Sequence, residues 1–77
     1  MKDEILEKFE DEMEDVCEYL DLAELAENAP TLSAGLRAIA HDEYTHANFF
    51  REYLKEMNFL KPEHEEKWKK VEARMRK

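Results

Sequence analysis

The chain has 77 residues, 42% of them charged, and a net charge of −8. That length holds one small domain at most, its single cysteine, Cys17, excludes an internal disulfide framework, and its acidity excludes a general nucleic-acid binder. One glycine, two prolines and few β-branched residues predict an all-α chain.

Taken in order, the opening Met1-Lys2-Asp3-Glu4 is acidic with no apolar run, so no signal peptide is expected. No stretch approaches the roughly 18 apolar residues that a membrane span needs. Helix 1 is expected over about residues 3–27, with twelve acids against two lysines in the first 28 positions. At about 100° per residue its apolar stripe runs Ile5, Phe9, Met13, Val16, Leu20, Ala23. Tyr19 and Ala26 widen one side of it; Leu6 and Cys17 widen the other. Asn28-Ala29-Pro30 interrupts the pattern, and Pro30 suits the first turn of helix 2, about residues 30–57. The helix 2 stripe runs Leu32, Leu36, Ile39, Phe50, Leu54, Met57, with Ala40 and Ala47 at one edge. A second interruption from Asn58 to Pro62 precedes helix 3, about residues 62–76, which has a thin stripe of His64, Trp68, Val71 and Met75. Residues 59–77 carry seven bases against four acids, a charge that suits the acidic helix 1 of a neighbouring molecule. Short connections predict an antiparallel helix 1–helix 2 hairpin.

The informative residues are those that interrupt the stripes. Glu43 and His46 occupy the middle of the helix 2 stripe, and Glu12 lies within about 40° of Ile5, Val16 and Ala23 on helix 1. Glu14, Glu18 and Asp21 fall on the far side of helix 1, where solvated charge belongs. A small shift in helix phase would bring Glu10 or Glu14 to the place of Glu12. A carboxylate on a packed face is costly unless it is paired, protonated or bound to metal, and no lysine or arginine shares either stripe. Glu43 and His46 are three residues apart and so neighbours on one helix surface. Glu-x-x-His together with a Glu from a second helix is the donor set of di-metal carboxylate bundles, which need two such sets. One hairpin supplies half of that. It is also too small to bury a full core, so a two-fold dimer of hairpins satisfies both demands. Carboxylates with one imidazole per metal suit iron, manganese or zinc.

Residues 12–47 resemble half-length ferritin-like proteins, in particular the encapsulated ferritins. The matching elements are Glu12, Tyr19 seven residues on, the Pro30 turn, and Asp42-Glu43-Tyr44-Thr45-His46-Ala47. The resemblance implies a single half-ferritin domain over residues 1–77 that completes a four-helix bundle by dimerisation. It further implies a ferroxidase that binds two Fe(II) per dimer and oxidises them to Fe(III) with O2, for iron storage or detoxification. Glu43 would bridge the metals, and Glu12 and His46 would be terminal ligands. Tyr19 would lie close to the site, and Asp11 and Glu14 would draw iron in. The expected partners are a second copy, a larger even homo-oligomer and an encapsulin-type shell, with a cytoplasmic location inside that compartment. The tail from Val71 to Lys77 reads as helix instead of a docking peptide, and Glu18 stands where the family carries an aromatic residue. Two other readings use the same residues: a metal-stapled structural dimer without redox chemistry, and a metal-free interaction hairpin.

Overall fold

The computed structural model describes all residues from Met1 to Lys77 as three α-helices and no strands. They are α1 (Lys2–Leu25), α2 (Pro30–Glu56) and α3 (Pro62–Met75). Asp3 and Glu4 lie in the first turn of α1, where negative charge meets the positive end of the helix dipole. α1 stops two residues short of the expected end. The Ala26 and Ala29 amides bond back to Leu22 and Ala26 carbonyls, at 3.0 and 2.8 Å, and Pro30 then starts α2 with its φ preset and no N–H to satisfy. Across this turn Ser33 Oγ donates to the Ala23 carbonyl at 3.0 Å and staples the two helix ends.

α2 ends on a left-handed residue, Asn58 (φ 55°). The Phe59 amide bonds to the Leu54 carbonyl at 2.8 Å and the Asn58 amide to Lys55 at 3.0 Å. This double closure is the Schellman arrangement, and asparagine tolerates the left-handed position better than most residues. Pro62 opens α3. The His64 amide bonds to the Lys61 carbonyl at 3.0 Å, and the Lys61 amide donates to His64 Nδ1 at 3.1 Å. Buried His64 is therefore a helix-capping acceptor.

The hairpin closes along a seam that sets large α1 residues against two alanines and a leucine of α2. Phe9, Met13, Val16, Leu20 and Ala23 of α1 are buried, as are Ala40, Ala47 and Leu54 of α2. The α2 seam thus runs along the alanine edge of the expected stripe, not its centre. Leu32, Ile39 and Met57 are 58%, 41% and 42% exposed, and Leu36, Phe50 and Tyr53 are half-buried. α3 folds back along the outer side of the hairpin. Trp68 stacks on Tyr44 (centroids 4.8 Å apart, planes 6° apart) and lies 6.0 Å from Phe9. Arg51 donates twice to Glu65, at 2.7 and 2.9 Å, and Arg74 reaches Asp21 at 2.9 Å and Glu24 at 3.3 Å. The basic helix thus lies against the acidic α1 of its own chain through these pairs.

Only 11 of the 77 residues are buried, and the short dimension of 13 Å is close to one helix diameter. The hairpin face opposite α3 therefore has no covering layer. No helix is long and apolar enough to cross a membrane.

Trp68 joins all three helices, so Trp68→Ala is expected to cost about 3–5 kcal/mol. For a chain of this size that lowers Tm by more than about 10 °C. Thermal unfolding followed by circular dichroism checks it, and an unchanged Tm would mean that α3 is undocked in solution.

Candidate metal site

Glu12 projects from the middle of α1, and Glu43 and His46 project from the middle of α2. The hairpin register set by Ser33 and Ala23 brings them to one height. His46 Nδ1 lies 3.8 Å from Glu12 Oε2 and 3.7 Å from Glu43 Oε1. One donor atom from each residue falls within a 4.8 Å group. Two donors on opposite sides of a shared cation stand about 4.2 Å apart at the usual ligand distance of about 2.1 Å. The three side chains thus converge to nearly coordinating separations. The Glu12 and Glu43 side chains are 17% and 20% exposed, whereas that of His46 is 57% exposed on the open face.

The electrostatics are unsettled without a cation. Glu12 Oε2 is buried and has no hydrogen-bond partner. The neighbouring Glu12 carboxyl pushes the Glu43 carboxyl above the ordinary carboxylate range; burial and the Glu12 charge push the same way. His46 and Asp15 pull it partly back. No lysine or arginine is paired with either glutamate. A site with two carboxylates, one imidazole and an orphaned buried oxygen fits a divalent or trivalent cation, which would give that oxygen a partner and hold both carboxylates ionised.

Asp15 belongs to this environment although the stripe analysis passed over it. It is half-buried one turn beyond Glu12. Burial raises its pKa first, followed by the Glu43 charge and a hydrogen bond with Glu43, and Asp11 adds to the effect. The signal was present as Glu12-x-x-Asp15 facing Glu43-x-x-His46, two i, i+3 pairs on opposed helices. Asp11 is exposed but close enough to Asp15 to influence it. Glu14 is not brought to the group. It lines a cavity of about 320 Å³ between α1 and α3 with Met13, Cys17 and Lys70. Tyr19 is half-buried two turns beyond Glu12 and packs against the core.

No family model, curated protein or solved structure matches the chain.

Glu43→Gln tests the strain. A carboxyl with a raised pKa in the folded state binds more protons folded than unfolded, so its contribution to stability falls as pH rises from about 4.5 through that raised pKa. Metal-free Glu43→Gln is therefore expected to gain stability relative to the unchanged chain as pH rises through that window. Urea unfolding of both proteins from pH 4 to 7.5 checks this. A constant difference would mean that Glu43 titrates normally.

Proposed function

We propose that the chain is half of a di-iron ferroxidase centre, completed by a two-fold copy of itself, which oxidises Fe(II) with O2. The observation that carries this reading is the convergence of Glu12, Glu43 and His46 within 4.8 Å on an apolar face that no other part of the chain covers. The resemblance of residues 12–47 to half-length ferritin-like proteins points the same way and gives Glu43 the bridging role, with Glu12 and His46 as terminal ligands.

The donor set explains why oxidation would be favoured. Carboxylates are hard anionic ligands, and their attraction for a cation grows with its charge, so they stabilise Fe(III) over Fe(II). Three residues do not fill the coordination of an iron ion, and the exposed side of His46 leaves room for a facing set. With two sets, two iron ions lie close enough to act together. Each Fe(II) gives up one electron, and one O2 takes both and leaves as hydrogen peroxide after gaining two protons. Asp11 and Asp15 lie on the same helix as Glu12 and extend negative charge from the group to the surface, a field that concentrates cations. The dimer of hairpins makes a four-helix bundle with no cavity for mineral, so storage requires a surrounding shell or another acceptor, as the encapsulin-type expectation has it.

Native mass spectrometry of metal-stripped protein, before and after anaerobic Fe(II), tests this reading. The expected result is an even assembly that carries two irons per pair of chains. It should be followed on exposure to O2 by ferric absorbance that Glu43→Ala abolishes and that His46→Ala reduces by about tenfold or more. Iron uptake without oxidation would favour a metal-stapled structural dimer. A Tm that ignores added metal would remove the metal site altogether, because a ligand that binds only the folded state stabilises it, by about 2.7 kcal/mol at a hundredfold excess over Kd.

A further inference from the structure

Asp15 is an acid beside the donor group that the group itself does not use. It stands three residues after Glu12 on α1, so the two side chains are neighbours on one helix surface, with Cβ atoms about 5–6 Å apart. It is half-buried, whereas Asp11, Glu14 and Glu18 on the same helix are exposed. Glu43 approaches it from α2, near enough for its charge to act on Asp15. No lysine or arginine forms an ion pair with Glu12, Asp15 or Glu43; the basic group paired with the two glutamates is the His46 imidazole. A half-buried acid beside two others, with no cation at hand, is a cost to the metal-free fold. The surroundings are not acids alone: they include that imidazole and the buried Glu12 Oε2, which has no hydrogen-bond partner.

We infer that Asp15 sets the charge of the site for a trivalent ion, so that the chain holds Fe(III) in preference to Fe(II) and to other divalent metals. The inference rests on the ferroxidase reading above and gives Asp15 a specificity role in it. That role is exerted through charge and not as a ligand, because Asp15 lies outside the 4.8 Å group of Glu12, Glu43 and His46. Glu12 and Glu43 carry two negative charges, which match one divalent ion in each chain. Asp15 makes three, which match one trivalent ion. Charge matching counts most where water is partly excluded, since the effective dielectric there is low and unmatched charge is costly. An ion of charge three feels a nearby carboxylate half as strongly again as an ion of charge two at the same place. The product of iron oxidation carries one more positive charge than the substrate, and Asp15 is the charge that meets it.

Redox-inert ions separate this role from catalysis. Ga(III) and Zn(II) affinities of metal-stripped protein are measured at one fixed pH by competition with nitrilotriacetate, and bound metal is counted by elemental analysis. In Asp15→Asn the loss of Ga(III) affinity is expected to exceed the loss of Zn(II) affinity by roughly tenfold or more, because the additional unit of ion charge no longer meets Asp15. A merely structural role would weaken both ions alike. Glu18→Gln removes the same charge from an exposed position one turn further along α1. It is expected to change the ratio of the two affinities by less than about twofold, since solvent and salt screen exposed charges. Asp15→Ala, which places a strong helix former at the position, is a second neutral variant expected to behave as Asp15→Asn does, with circular dichroism to check that each chain is folded. Equal losses for the two ions in both variants, a larger loss for Zn(II), or an unchanged chain that binds Zn(II) but not Ga(III) overturns the charge role and leaves the ferroxidase reading standing. An unchanged chain that binds neither ion overturns both.

Discussion

The close approach of α1 and α2 along Ala23, Ala40 and Ala47 is the constraint from which the rest follows. Each of these alanines is fully buried, and on α2 two of them give the larger α1 residues Phe9, Met13, Val16 and Leu20 room to pack. That approach carries Glu12 to Glu43 and His46. It also leaves Leu32, Ile39 and Met57 of α2 off the seam, while Leu54 stays fully buried on it beside the alanines. An uncovered apolar face and a convergent donor group are therefore two consequences of one packing choice.

The third helix covers the opposite side. Trp68, with Tyr44, Phe9 and the Arg51–Glu65 pair around it, holds α3 to the hairpin, and Arg74 balances part of the acidic charge of α1. Helical rotation separates the two sides of α1: Met13, Glu14 and Cys17 line the cavity toward α3, while Glu12, Asp15 and Tyr19 lie on the other side. α3 thus supplies a core to a chain too short to have one in the hairpin alone, and it does so without shielding the acids at the site. Arg74 and Lys67 pair with Asp21, Glu24 and Glu10 of α1 and leave most of the acids of that helix without a cationic partner.

Carboxylates in this molecule have opposed electrostatic fates. Glu65 has its pKa lowered by Arg51, so its contribution is fully present above the ordinary carboxylate value of about 4.5 and is lost as pH falls through the lowered pKa. Glu43 and Asp15 have theirs raised by burial and by neighbouring acids, so their contribution runs the other way. A folded chain that keeps such acids on its open face holds a local excess of negative charge that a cation relieves. It is that imbalance, more than the presence of glutamates in a glutamate-rich chain, that singles out the site.

Much of this was legible in one dimension. Helical periodicity, two prolines and the short connections determined three helices and an antiparallel hairpin, because those signals are local and act through backbone geometry. Glu43 and His46 were visible as polar interruptions of an apolar stripe, and Glu12 as a matching interruption at similar height. What the tertiary structure decided was which edge of each stripe faces inward. Periodicity defines a stripe some 100° wide but not the line of closest contact within it, which depends on the side-chain volumes that two helices present to each other. That choice moved Ala40 and Ala47 from the edge to the centre and left Ile39 and Leu32 exposed. It also brought Asp15 beside Glu43 and sent Glu14 toward α3. Whether a charged side chain on a helix edge meets water or another acid depends on the facing helix, and only the folded chain supplies that.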